Sequence, residues 1–328
     1  MRPEFPAQAR REIKRICKRR VLENWGRCVG IQFLYMLPFV LLVLLMYAVL
    51  FGRAIALVMA GNTDNYVLTM ALAQGINSMW IILCIMLLVS GPLTFGMMRF
   101  YVAMQRGEEP HVGMLLTPFT SLRSAWTGIK MVFCLWFRSF LWMVGPAVVY
   151  TVLSIAMTVN AAISGDPNAM NVPLTILYIL FMLAMIPVQL KVMTYQAGWA
   201  LLYDDETRSV WDATREASAA FKGQFGKLFV FVLSFLGWMI LTIGVAYLCV
   251  GLGMAGLFVV QGGTGIAIFA LCCIAALCLL VLLGAFTNTY QMTSFFGMHE
   301  FLCMPPVQPQ GMPPVDSWPG QDDGTGQY

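Results

Sequence analysis

Six stretches of this chain run apolar without a charged residue, each close to the length that crosses a bilayer as a helix. They fall at residues 29–51, 76–98, 139–163, 172–190, 228–250 and 266–286. A hydrocarbon core of about 30 Å takes about 20 such residues. Arg53, Arg99 and Lys191 close the first, second and fourth stretches, and Met131 is an alternative start for the third. The fifth and sixth share a charge-free region from Leu228 to Met298. Its glycines (Gly251, Gly253, Gly256, Gly262, Gly263 and Gly265) predict an external turn or a short re-entrant piece.

A basic, amphipathic, helix-length segment precedes every second stretch. Over residues 8–27 an apolar face of Ile13, Ile16, Cys17, Val21 and Trp25 recurs at helical spacing, with lysines and arginines around the rest. Over 209–227 the stripe is Val210, Thr214, Ala217, Phe221 and Phe225, and Ser209 with Asp212 resembles a capping box. Over 113–130 Pro118 interrupts the pattern. Each segment ends in an aromatic followed by a cation: Trp25 and Arg27, Trp126 and Lys130, Phe225 and Lys227. Such pairs are interfacial anchors by their chemistry. The aromatics recur at about 100 residues, which fits either three separately anchored hairpins or one unit repeated three times. The fold class expected is all-α: six transmembrane helices, with amphipathic interfacial helices on the cytoplasmic side.

Composition agrees. Of 328 residues, 59% are hydrophobic and 11% charged, and mean hydropathy is +0.75. A soluble domain carries about 25% charged residues. These values exclude a soluble enzyme, a disulfide-stapled secreted module and a disordered protein. Charge placement then orients the chain. With the N-terminus inside, 19 basic residues fall in inner segments and only Arg53 outside, so both termini are expected in the cytoplasm of a plasma membrane. The organisation expected is a basic arm over 1–27, a membrane domain over 28–303, and a disordered Pro/Gly-rich tail over 304–328. The arm does not read as a cleaved signal peptide, because its apolar run is too long. The nine cysteines contain no CxxC pair and read as small hydrophobes.

Within this frame, Leu201-Leu202-Tyr203-Asp204-Asp205, Ser218 through Lys222-Gly223, and Leu233-Ser234-Phe235-Leu236-Gly237-Trp238 form a recognisable series. Leu135-Trp136 through Gly145-Pro146, Thr289-Tyr290 and Phe295-Phe296 extend it. The chain resembles a bacterial integral membrane family, domain of unknown function 975. Its Leu-Ser-Phe-Ile-Gly-Trp signature is matched here with Leu236 in place of isoleucine. The resemblance implies a polytopic protein of the bacterial envelope and carries no activity with it.

Candidate chemistry is sparse. His111 beside Glu108 and Glu109 lacks the three or four converging ligands of a metal site, and His299-Glu300 lacks an HExxH frame. Gly251-x-Gly253-x-x-Gly256 lacks the strand a dinucleotide fingerprint needs, and reads as close helix packing or a turn. No cofactor or metal is expected. The intramembrane polar candidates are Arg138 and Lys191, with Gln189 near the latter. Each cation is either a functional charge or an interfacial side chain that snorkels. No acid inside a span pairs with them, which disfavours a proton relay. Ser234, Gly237 and Trp238 are the packing candidates, with Gly237 expected against a neighbouring helix. Pro38, Pro92, Pro146 and Pro187 predict kinks in the first four spans. The function expected is a non-enzymatic organiser or adaptor. Its partners would be anionic inner-leaflet lipid, and a membrane protein or a second copy, but not nucleic acid. The alternative is a small transporter or channel built on the kinked helices.

Overall fold

The computed structural model describes residues 5–61, 65–164, 171–259 and 263–303. Ten helices follow in order among them: α1 Ala7–Glu23, α2 Trp25–Met59, α3 Asn65–Arg106, α4 Leu122–Ser164, α5 Asn171–Gln196, α6 Gly198–Asp204, α7 Val210–Ala220, α8 Phe225–Leu233, α9 Leu236–Val259 and α10 Gly263–Cys303. Short 3-10 turns at Val112–Leu115 and Thr117–Thr120 precede α4.

Six helical stretches are long and apolar enough to cross a membrane: Trp25–Gly52, Ala73–Arg106, Leu122–Asn160, Val172–Asp204, Phe225–Gly256 and Ala267–Cys303. This is the make-up of a multi-pass membrane protein, and each stretch contains or overlaps one expected span. The helices run past the expected ends because charged residues do not stop a helix. They stop only its apolar face.

α2, α3, α4 and α5 each continue through their proline. The interruptions fall instead at Ala197 and at Ser234–Phe235, so the expected single fifth helix is two. Gly251, Gly253 and Gly256 lie within α9 rather than in a turn. A Cβ on Gly253 would meet Cys272 Cβ at 2.9 Å, and one on Gly256 would meet Ile268 Cγ2 at 2.8 Å. These glycines therefore let α9 and α10 approach closely. Gly262 and the tail over 304–328 lie outside the described residues.

The chain divides into two compact units. The first comprises Met1–Pro38, Met97–Leu115 and Val230–Tyr328. Its centre is the C-terminal half of α10, where Phe295, Phe296 and Met298 are fully buried. α1 lies on that half. A Cβ on Gly297 would meet Ile13 Cγ2 at 2.8 Å, and the Phe5 and Phe301 rings are 5.4 Å apart. Ile13, Cys17 and Val21 are buried there. The apolar stripe of the arm is thus covered by protein, and the expected boundary at residue 27 does not separate compact units. Gly107, at φ +80°, closes α3, with Glu108 N–H donating to Ala103 O and Gly107 N–H to Met104 O. Arg20 donates to the carbonyls of Met104 and Gln105 at the same terminus.

The second unit comprises Phe39–Gly96 and Leu116–Phe229. α3 and α4 cross in it at two glycines. A Cβ on Gly91 would lie 2.6 Å from Ile129 Cα, and one on Gly128 would lie 2.7 Å from Gly91 O. α7 carries the expected stripe, with Val210, Thr214, Ala217 and Phe221 buried. Ser209 occupies its N-cap position without making the expected side-chain bond. A separate helix precedes the first and fifth spans, α1 and α7. Before the third, the segment expected over 113–130 is 3-10 turns and the start of α4 itself, because Pro118 sits at a 3-10 N-terminus.

Candidate functional site

The two cations expected inside or beside the spans, Arg138 and Lys191, both lie in the second unit. Lys191 and Tyr195 stand one turn apart on α5, an i,i+4 pair that shares a helix face. The Lys191 ammonium lies 5.1 Å from the centre of the Tyr195 ring and 5.4 Å from that of Phe225. From α4, the Arg138 guanidinium lies 4.7 Å from the same Tyr195 ring and 4.8 Å from Trp211. Two cations thus share one aromatic ring, each at cation–π distance.

α7 supplies the acceptors. Trp211, Thr214 and Ser218 fall on one face at helical spacing. Lys191 Nζ donates to Ser218 Oγ at 2.8 Å, and Arg138 donates to Trp211 O at 3.3 Å. Thr194 Oγ1 and Ser218 Oγ are 3.1 Å apart, and Trp142 Nε1 donates to the Tyr195 hydroxyl at 3.2 Å. Cys134 Sγ and Thr214 Oγ1 are 3.8 Å apart. Both cations are half-buried, and among the described residues no carboxylate reaches ion-pair distance of either. Arg138 Nε is buried without a hydrogen-bond partner. An aromatic-walled pair of unneutralised cations has one obvious chemical competence, which is holding an anion.

Tyr195, Trp211 and Trp142 are the residues that sequence reasoning did not single out, and Ser218 enters it only as the start of a segment carrying the family resemblance. The i,i+4 spacing of Lys191 and Tyr195 was the available signal. Gln189, expected beside Lys191, is exposed and takes no part.

In the first unit the structure corrects one expectation and sharpens two. Gly237 does not pack against a neighbour: it is exposed, and a Cβ there would meet nothing within 4 Å. The reason is the break at Ser234–Phe235, which starts a new helix at Leu236 and removes Ser234 and Gly237 from a common face. Ser234 does bond both ways, donating to Phe231 O and accepting from Lys14 Nζ at 2.9 Å. Trp238 is half-buried, its ring 4.9 Å from Phe286 and 5.9 Å from the Lys18 ammonium.

The anchors divide in their surroundings. Trp25 opens α2 with its ring 5.9 Å from Phe286, and Arg27 donates to Asn24 Oδ1 and Pro110 O. Trp126 is exposed under the Lys130 ammonium at 5.7 Å. Phe225 opens α8 and faces Lys191 rather than standing alone, and Lys227 is half-buried.

Among the described residues no group of histidine, cysteine and carboxylate side chains is placed to hold a metal ion. The Arg106 and Glu300 side chains form a half-buried ion pair at 2.7 Å, beside the 3.5 Å contact of His299 Nε2 with Cys303 Sγ. These contacts tie α3 to α10 and close α10's last turn. A family model described as "Protein of unknown function (DUF975)" matches residues 1–295. No curated protein and no solved structure matches the chain.

Proposed function

The chain belongs to the DUF975 family, and we propose that it is a non-enzymatic organiser of the bacterial cell membrane, gathering anionic lipid and a protein partner at its cytoplasmic face. One observation carries this reading. The apolar stripe of α1 is covered by α10, while Arg11, Arg15, Lys18 and Arg19 on the same helix are exposed. Only Glu12 and Glu23 offset them on α1, in exposed pairs with Arg15 and Arg19. The helix is fixed to the body of the protein and shows its cations outward. Each cation near an anionic leaflet is worth about 1 kcal/mol, falling as salt screens it. The 19-to-1 distribution of basic residues supports cytoplasmic termini on the same side as α1.

Passage through kinked helices is the weaker reading. It leans on the four prolines alone, which lie inside continuous helices and bring no polar cavity with them among the described residues.

The test is lipid selection by the full-length protein. Nanodiscs are assembled from a phosphatidylcholine–phosphatidylglycerol mixture, and the lipid retained with the protein is quantified. The parent should enrich phosphatidylglycerol, and raising the salt should reduce the enrichment. The variant Arg11→Gln, Arg15→Gln, Lys18→Gln, Arg19→Gln should lose most of it. Equal enrichment by the two proteins would refute the reading.

A further inference from the structure

We propose that Arg138, Lys191 and Ser218 form a binding site for one phosphate group, carried by a phospholipid headgroup or arriving as free phosphate. The site is built on α4, α5 and α7. It is separate from the exposed cations of α1 and does not rest on them.

Charge is the first argument. The two cations lie at most about 10 Å apart through the ring they share, within one Debye length at 0.1 M salt. Like charges held this close in half-buried positions repel each other, and no described carboxylate neutralises them. A bound anion would relieve that repulsion.

Open donors are the second. A guanidinium carries five N–H groups and an ammonium three. Here Arg138 spends one on Trp211 O, and Lys191 one on Ser218 Oγ. The remainder suits an acceptor with several oxygens, and the planar guanidinium matches two of a phosphate's oxygens at once.

Depth is the third. From Arg138 to Asn160, the far end of its span, α4 rises about 33 Å at 1.5 Å per residue. From Val172 to Lys191, α5 rises about 28 Å. Both cations therefore stand about one hydrocarbon thickness from the far end of their apolar stretch, the distance that reaches headgroup level when that far end lies at the opposite interface. Trp142, Tyr195 and Trp211 around them are the aromatic types that favour this level.

The test uses the full chain, delipidated in a neutral detergent, with native mass spectrometry and thermal unfolding as readouts. Three additions are compared: inorganic phosphate, dihexanoyl phosphatidylglycerol, and dihexanoyl phosphatidylcholine as the zwitterionic control. The parent should bind one phosphatidylglycerol and unfold at higher temperature with it. A matching shift with inorganic phosphate assigns the site to free phosphate, whereas a shift with the anionic lipid alone assigns it to the headgroup. Lys191→Gln and Arg138→Gln should each weaken binding about tenfold or more, Lys191→Arg should retain it, and Lys130→Gln should leave it unchanged. The proposal is overturned if the parent shows no shift with either anion. It is equally overturned if the glutamine variants, folded by circular dichroism, bind as the parent does. The parent measurements need no variant to fold. Failure of this site would leave lipid selection by α1 untouched, because α1 is probed by its own substitutions.

Discussion

The Lys14 ammonium sits 2.9 Å from Ser234 Oγ and 4.3 Å from the centre of the Phe235 ring, 220 residues away along the chain. It fills the break between α8 and α9, where the C-terminal end of α8 leaves carbonyls at the negative pole of a helix. Ser234 O is within 3.5 Å of the same ammonium.

Two effects oppose each other at Lys14. Burial, then the neighbouring Arg10 charge, holds its pKa below the ordinary 10.5. The ring and the hydroxyl favour the charged form by about 0.5–1 kcal/mol each. Lys14→Met should therefore change stability at neutral pH by less than about 1 kcal/mol. Because the folded pKa is depressed, the unfolded chain binds more protons at Lys14 between that value and 10.5, so this group alone makes stability rise with pH across that window, while the raised Cys17 thiol acts the other way above pH 9. Chemical denaturation in detergent from neutral pH to 10.5 should show the parent gaining stability relative to Lys14→Met as pH rises, since the thiols contribute equally to both proteins. Identical profiles would contradict the assignment.

Glycine substitutions should sort by what a side chain would meet. Gly91→Val and Gly128→Val drive atoms into the backbone of the facing helix and should cost about 1–3 kcal/mol or more. Gly237→Ala meets open space and should be neutral or slightly stabilising, since alanine favours helix. Thermal unfolding of the three variants checks the order. A Gly237→Ala protein as unstable as Gly128→Val would show that the α8–α9 region is packed differently.

Ser218→Ala removes the hydroxyl that accepts from Lys191 and leaves a half-buried ammonium without that partner. In phosphate-free neutral detergent it should lower stability by about 1–3 kcal/mol. Trp142→Phe loses only the indole bond to Tyr195 and should cost about 1 kcal/mol. The two measurements, made side by side, separate the charged contact from the neutral one.

Burial pushes the Cys17 thiol up to about 12, against weaker opposing contributions from Ser294 and Arg20. At pH 8 it is protonated and covered, so a maleimide should leave Cys17 unlabelled in the folded protein and react once it is denatured. Exposed Cys303 should label in both states. Rapid labelling of Cys17 in the native protein would show that α1 leaves α10 readily.

Labelling also checks topology. In a cysteine-free background with intact cells, an impermeant reagent should reach Asp166→Cys and not Asp204→Cys. The reverse pattern would invert the orientation drawn from the charge split.

Much of the fold was legible because its signals are local. Apolar run length places six spans, and helical periodicity places Ile13, Cys17 and Val21 on one face whatever covers that face. What covers it was not legible, since α10 begins some 240 residues after α1 ends and carries no mark that pairs it with α1. The break at Ser234–Phe235 escaped for the same reason. No proline or charge announces it, and a lysine from α1 occupies it. The Gly237 expectation failed because small size permits close packing without supplying a neighbour. Arg138 and Lys191 stood out as charges in apolar sequence, but only the structure brings them to one tyrosine.

The seating of α1 on the second half of α10 sets a clock on the making of this protein. The surface that receives Ile13 includes Gly297, and at about 5–20 residues per second the ribosome reaches it ~15–60 s after Ile13 is made. Through that interval the first helix has an apolar stripe without its α10 seat, although the end of α3 that Arg20 binds is made before α10. A basic amphipathic helix in that position can wait on the membrane surface. Its final seat becomes available only when the last described helix is in place, so the closing of the first unit reports that the chain has been inserted through to that helix.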